Sequence, residues 1–158
     1  MNKNGFTLVE LLAVIALVAI LSGLAVNNIV SSINNSRKNV FLTDAKRMIA
    51  KAEYLMASSS EDRENAKISS VKYNFARLNE HSEFANDADG GEYDKNATFV
   101  KVSYNSTTKN YEYCLCVIGS KRKITNGVTC DYSTGSGCLT SDKITDISVV
   151  EDYDPNNE

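Results

Sequence analysis

Apolar residues crowd into the first fifth of the chain. From Phe6 to Val26, 21 residues contain one charged side chain, Glu10. As a helix, this segment would be about 31 Å long, enough to cross the hydrocarbon core of a bilayer. A secretory signal peptide has a shorter apolar core and a small-residue cleavage site after it, and no clear Ala-x-Ala site follows here. The pattern predicts a transmembrane helix over 6–26.

The helical pattern continues beyond Val26 with apolar residues on one face. Charged side chains fall off the apolar stripe, whose members recur at spacings of three and four. The stripe consists of Ile29, Val30, Ile33, Val40, Phe41, Ala45, Met48, Ile49, Ala52, Leu55 and Met56. We therefore predict one helix from Phe6 to about Ala57, whose second part, 27–57, is an amphipathic stalk.

Residues 58–158 predict an external α+β domain. A short helix is expected around Glu61–Glu80, with strand as the alternative near Val71–Phe75. Alternating apolar residues and turn signals then predict an antiparallel sheet that packs on the stalk helix. Its strands are expected at 98–104, 110–118, 121–125 and 144–150, and the acidic tail 151–158 is expected to be loose.

The composition argues against an enzyme. Twenty acidic and 17 basic residues give a net charge of −3. The chain therefore has no excess of positive charge that would favour the binding of nucleic acid. The single histidine, His81, belongs to no catalytic motif and is expected on the surface. We expect neither a catalytic site nor a cofactor. Glu10 is the one polar residue that calls for a function, because an acid within a membrane segment needs a partner.

The segment Lys3-Asn4-Gly5-Phe6-Thr7-Leu8-Val9-Glu10 resembles the class III signal of type IV prepilins and pseudopilins. The resemblance implies a leader over 1–5, cleavage between Gly5 and Phe6 by a membrane prepilin peptidase, and N-methylation of Phe6. It aligns Glu10 with the glutamate of the family's N-terminal region. It also implies the pilin fold, a long N-terminal helix on a small antiparallel sheet. Many members have a helix-kinking proline near residue 26, which this chain lacks.

The resemblance implies a filament subunit. Cleavage creates an ammonium at Phe6, and the Glu10 carboxylate of one subunit could pair with the Phe6 ammonium of a neighbour. Lys3 favours a cytoplasmic N-terminus and an external head before assembly. The implied partners are other pilin subunits, the peptidase, the inner-membrane assembly platform and the membrane itself. The alternatives are a pseudopilin of type II secretion or competence DNA uptake, and a tip-located minor pilin that binds a host surface or DNA.

Four cysteines lie in the external domain: Cys114, Cys116, Cys130 and Cys138. An even number outside the membrane predicts two disulfides, which join Cys114 and Cys116, on one face of a strand, to Cys130 and Cys138. The sequence leaves the connectivity open. The alternative is a structural zinc site with all four cysteines as ligands, although C-x-C is an unusual zinc spacing.

Two surface segments offer weaker candidates for binding. The acids of the loop 86–91 suggest calcium, although the loop lacks the ligand spacing and terminal Glu of an EF-hand, so a solvated turn is favoured. The basic cluster 121–123, near Tyr104, Tyr111 and Tyr113, suggests contact with a phosphate backbone or a glycan. The competing interpretation of the cluster is a solvated turn between strands.

Overall fold

A computed structural model describes residues 7–156 of the chain, with backbone alone for 24–28. Its long N-terminal helix and small antiparallel sheet confirm the predicted α+β class. Internal contacts divide the chain into two compact units, with the boundary between Ser36 and Arg37. We call the second unit the head.

Helix α1 runs over Leu8–Ser58. Within the head, its buried residues follow the predicted apolar stripe with steps of three and four. They are Phe41, Leu42, Ala45, Met48, Ile49, Ala52, Leu55 and Met56. Val40, which the stripe also included, is 52% exposed. Apolar spacing therefore predicted the buried face of the head apart from Val40, which is exposed, and Leu42, which is buried although the predicted stripe did not include it.

The segment predicted as one helix over Glu61–Glu80 is broken in the structure. Helix α2 covers Ser60–Ile68, strand β1 covers Val71–Asn74 and helix α3 covers Phe75–Leu78. The Ser59 side chain accepts a hydrogen bond from the Asp62 backbone N–H and so caps α2. The prediction of a continuous helix is wrong, because strand pairing takes the middle of the segment, as the strand alternative foresaw.

Six strands form the sheet in the part of the chain that the structure describes. The remaining five are β2 (Phe99–Asn105), β3 (Asn110–Ile118), β4 (Arg122–Ile124), β5 (Leu139–Thr140) and β6 (Glu151–Asp152). Their hydrogen-bonded order is β1-β2-β3-β4-β6, and β5 pairs with β3. All the pairings are antiparallel. The longest strand, β3, is thus the centre to which three other strands attach.

The C-terminal part departs from the prediction of a late strand over 144–150. Two 3-10 helices, Ser141–Lys143 and Ile147–Val149, occupy this region. Asp146 caps the second by accepting a hydrogen bond from the Ser148 backbone N–H. The tail is not wholly loose, because Glu151–Asp152 form strand β6, which pairs with β4 at one edge of the sheet.

The core of the head lies between α1 and the sheet. Apolar residues of α1 meet inward-facing residues of β2 and β3 in one continuous cluster. Two such partners, Val100 and Leu115, face each other across the β2–β3 ladder and are fully buried. A smaller cluster on the other face of β3 surrounds the cysteines. Both faces of β3 are therefore buried, which explains its continuous apolar run from Cys114 to Ile118.

Candidate processing and assembly site

Reciprocal hydrogen bonds between Thr7 and Glu10 close the N-terminus of α1. The Thr7 backbone N–H and hydroxyl donate to Oε2 of Glu10 at 2.9 and 2.8 Å. The Glu10 backbone N–H donates in turn to Oγ1 of Thr7 at 3.3 Å. Thr7 directly precedes the helix and Glu10 is its third residue, so the pair forms a capping box. The carboxylate also faces the positive end of the helix dipole.

The capping box adds a residue that sequence reasoning missed. Glu10 was selected for its charge, whereas Thr7 was treated only as part of a motif. The signal was present as Thr-x-x-Glu directly before an apolar run, which is the sequence signature of a capping box. The Glu10 carboxylate therefore has a hydrogen-bonding partner within its own chain before any neighbouring subunit is considered.

The predicted cleavage residues, Gly5 and Phe6, lie outside the described residues, as does the leader over 1–5. The cleavage position and the methylation of Phe6 stay predictions. Helix α1 begins at Leu8, so the predicted scissile bond precedes the capping box in sequence.

The first unit presents apolar side chains to solvent on every side. All its described side chains are exposed, including Leu8 at 78% and Leu21 at 63%. Exposed apolar surface of this extent indicates a region that is covered by other molecules. The sequence predicts a membrane span over 6–26, whereas among the described residues no helix combines the length and apolarity that a membrane crossing requires.

Residues 1–26 match the family model of the prokaryotic N-terminal methylation motif. The chain carries a class III prepilin signal. The resemblance seen at Lys3–Glu10 is confirmed, and the signal indicates a type IV pilin-like or pseudopilin precursor. Such a signal implies processing by prepilin peptidase, membrane insertion, and then assembly with other pilin subunits. No curated protein and no solved structure matches the chain.

In the head, two disulfides attach the loop after β4 to β3. They join Cys114 to Cys138 and Cys116 to Cys130. Phe99 and Tyr132 pack with the four cysteines in one cluster. Since every cysteine is disulfide-bonded, none offers a thiolate to zinc, and the described residues hold no other group of metal-ligating side chains. The structure therefore has the disulfide arrangement rather than the alternative zinc site.

A buried ionic cluster explains the basic segment 121–123, and we call it the Asp89 cluster. The Asp89 carboxylate accepts hydrogen bonds from Nε of Arg122 at 2.6 Å and Nη1 of Arg37 at 3.2 Å. The Asp89 and Arg122 side chains are 2% and 5% exposed. Asp152 approaches Arg122 and Lys38, each at 3.5 Å. The Asp89 cluster therefore joins α1, the loop 86–91, β4 and β6.

The structure does not present all three basic side chains of the segment 121–123 on its surface. Arg122 is buried, and the Lys123 ammonium lies 5.5 Å from the centre of the Tyr153 ring. The Tyr104 and Tyr111 rings pack on each other at 5.3 Å, and the Tyr111 hydroxyl donates to the main chain of α2. Local sequence could not show this, because the acids that neutralise Arg122 lie about 30 residues away on either side.

Hydrogen-bond donors of the chain itself also surround Asp87, the other acidic residue of the loop that was suggested as a calcium site. Asp87 is buried and accepts hydrogen bonds from the backbone N–H and hydroxyl of Ser120, and from the backbone N–H groups of Asp89 and Gly91. Burial raises the pKa of Asp87, but these hydrogen bonds outweigh it and hold the pKa below its ordinary value. The loop 86–91 is a structural turn rather than a cation site. His81 is exposed, as predicted.

Proposed function

We propose that the chain is the precursor of a structural subunit of a bacterial type IV pilus. The observation that carries the proposal is the methylation motif at 1–26, which includes the capped start of a helix with apolar residues on all sides. A helix of this kind needs lipid before assembly and copies of itself afterwards. Copies related by a contact that does not close on itself produce a helical filament.

The proposed sequence of events starts with the peptidase, for which this chain is a substrate rather than an enzyme. Hydrolysis of the bond between Gly5 and Phe6 releases the leader and leaves a free amine on Phe6. Methylation of that nitrogen keeps its positive charge. During assembly, the Glu10 carboxylate pairs with the Phe6 ammonium of a neighbouring subunit, which offsets the desolvation of both charges.

The first experiment is the intact mass and N-terminal sequence of the protein from its native cell, before and after reduction. We expect a chain that starts at methylated Phe6 and gains about four protons on reduction of its two disulfides. The variant Gly5→Leu should accumulate as an uncut membrane precursor. A mature chain that starts at Met1 beside an active peptidase, or efficient processing of Gly5→Leu, would contradict the proposal.

Localisation in the assembled filament then separates a structural pilin from its alternatives. Immunogold labelling along the whole length of surface filaments is the expected result. Labelling confined to filament tips would favour a minor pilin with a binding role. Loss of protein secretion or DNA uptake without loss of surface filaments, after deletion of the gene, would favour a pseudopilin.

A further inference from the structure

An asparagine directly before a glycine, Asn126-Gly127, follows strand β4, and both residues are exposed. In such a pair, the backbone nitrogen of the glycine is the nucleophile closest in sequence to the carboxamide carbon of the asparagine. Glycine has no Cβ, so it hinders that attack less than any other residue. The pair belongs neither to the processing site nor to the Asp89 cluster, and filament assembly through α1 makes no use of it.

The fold directs the Asn126 carboxamide towards the peptide group that would have to react. Its Oδ1 accepts a hydrogen bond from the Val128 backbone N–H at 3.2 Å, which folds the side chain back over the peptide group between Asn126 and Gly127. The same hydrogen bond polarises the carboxamide carbonyl and favours attack on its carbon. Because both reacting groups belong to adjacent residues in one turn, the reaction avoids the entropy cost of bringing them together.

The surroundings of Gly127 leave room for the reaction. Its φ is +87°, and apart from its chain neighbours no described heavy atom lies within 4 Å of the place that a Cβ would occupy. Its backbone N–H donates to Oγ1 of Thr125 at 3.1 Å and lies outside the strand ladders. Water therefore has access to the nitrogen and to the carboxamide, and no strand pairing must open first.

A second pair of this type, Asp89-Gly90, is protected by the surroundings of its side chain. Gly90 has the same φ, +87°, and equally open space around it. The Asp89 carboxylate, however, is 2% exposed and paired with Arg122 and Arg37. A negative carboxylate in an ion pair resists attack by a nitrogen, so the open glycine alone does not make this pair reactive.

The turn between β2 and β3 provides a closer comparison, because Asn105 has a similar side-chain conformation. Its Oδ1 accepts a hydrogen bond from the Thr107 backbone N–H at 2.9 Å, the same relation as between Asn126 and Val128. Its amide nitrogen, in contrast, donates to Oε1 of Glu112 at 2.6 Å. That bond must break before ammonia can leave, and the next residue is serine rather than glycine. Asn105 should therefore react more slowly than Asn126.

We propose that Asn126 deamidates spontaneously in the folded head and becomes aspartate and isoaspartate. The Gly127 nitrogen bonds to Cγ of Asn126, and the carboxamide amino group leaves as ammonia with the proton that the nitrogen gives up. Water then opens the cyclic imide at one of its two C–N bonds. One opening gives aspartate, and the other gives isoaspartate, in which the main chain runs through the former side chain. The net reaction consumes one water, releases one ammonia and needs no enzyme.

The modification adds a negative charge to the surface while the head stays folded. Thr125 is buried on one side, and Cys130 is bonded to Cys116 on the other. The altered main chain is thus confined to residues 126–129, which are all exposed. Because the modified fraction increases with time, the older parts of a filament would carry more negative charge. This last consequence rests on the proposed function, whereas the reaction itself does not.

The test uses the full chain with its disulfides intact, in detergent at neutral pH and physiological temperature over several weeks. Samples are reduced, alkylated, digested with trypsin and analysed by mass spectrometry, and a sample taken at the start corrects for reaction during digestion. Residues 124–143 form one tryptic peptide whose only amide side chain is Asn126, and residues 102–109 form another whose only amide side chain is Asn105. An endoproteinase that cleaves before aspartate, but not before isoaspartate, separates the two products.

We expect the peptide 124–143 to gain the mass that replacement of NH2 by OH adds, at least about tenfold faster than the peptide 102–109, because the Asn105 hydrogen bond to a carboxylate must be broken. The reduced and unfolded chain is the control for the fold, and Asn126 should react there less than about tenfold faster than in the folded chain. Asn126→Gln, which would need a larger ring, should show no mass gain in this peptide. The proposal is overturned if the folded chain keeps the mass of 124–143 while the unfolded chain does not, if 102–109 reacts first, or if Asn126→Gln gains the same mass.

Discussion

The Glu10 side chain combines two tasks at the scale of a single residue. In the described structure, it caps its own helix by accepting hydrogen bonds from the Thr7 backbone N–H and hydroxyl. In the proposed filament, the same carboxylate faces the Phe6 ammonium of a neighbour. A carboxylate has enough lone pairs to accept hydrogen bonds from both groups, so the two tasks are compatible.

Two substitutions of Glu10 separate capping from charge. Glutamine also functions at the third position of a capping box, whereas alanine does not. If the negative charge drives docking, Glu10→Gln and Glu10→Ala should both be cleaved and methylated, yet both should fail to enter filaments. Mass spectrometry measures processing, and immunoblots of sheared filaments measure assembly. Normal assembly of Glu10→Gln, with failure of Glu10→Ala, would restrict Glu10 to helix capping.

Removal of Asp89 should strongly destabilise the head. Asp89→Ala leaves Arg122 buried without its closest carboxylate, and breaking a buried ion pair in this way costs about 3 to 5 kcal/mol. Thermal or chemical unfolding of the full chain in detergent measures the loss. Glu64→Ala, which removes an exposed partner of Lys67, is the control and should leave the unfolding free energy unchanged within error. Equal stability of the two variants would contradict the assigned role of Asp89.

At the scale of elements, the spacing of apolar residues predicted the helices and strands whose formation depends on the burial of one face. The apolar stripe of α1 and the alternation in β2 and β3 are visible in the sequence, because burial of one face sets those periods. The helix predicted over Glu61–Glu80 failed because Val71–Asn74 pairs with β2, a partner almost 30 residues away. Long-range pairing overrides a short helical pattern, and the sequence alone offered strand at this segment only as the alternative.

The residues of the candidate site also differ in whether the sequence alone could predict their environment. Glu10 and its motif were visible, since the signal is contiguous and its residues act within one turn of helix. The true environment of Arg122 was not visible, because Asp89 and Asp152 approach it only in the folded sheet.

Each disulfide should stabilise the head by a similar amount. The bridges close loops with sequence separations of 14 and 24, for which chain entropy predicts about 3 kcal/mol each, with about 0.5 kcal/mol more for the longer loop. The double variants Cys116→Ala/Cys130→Ala and Cys114→Ala/Cys138→Ala remove one bridge without leaving a free thiol. Denaturant unfolding of each variant measures the loss, and an unfolding free energy equal to that of the parent chain would contradict this prediction.

At the scale of the whole molecule, the chain consists of two units that differ in the exposure of their apolar side chains. The head contains its own apolar core, whose α1 residues extend from Phe41 to Met56. The described side chains of the first unit contribute nothing to that core, since all are exposed. Folding of the head and association through the N-terminal helix are therefore separable properties.

A shortened chain that begins at Arg37 tests this separation. It should form both disulfides, remain monomeric without detergent and unfold within a few degrees of the full chain. Circular dichroism measures the unfolding temperature, and sedimentation measures the mass in solution. The full chain in the same buffer, without detergent, should aggregate and serves as the control. Loss of cooperative unfolding in the shortened chain would show that the head depends on residues before Arg37.

The order of the elements along the chain also determines which bonds would carry a pulling force. In the proposed filament, tension passes from subunit to subunit through packed N-terminal helices. The chain leaves α1 at Ser58, and both disulfides join residues beyond that point. The residues after Ser58 therefore lie outside the path along which the tension is transmitted. The two bridges would preserve the outer coat of the fibre against heat and proteases, while its tensile strength would depend on the helices alone.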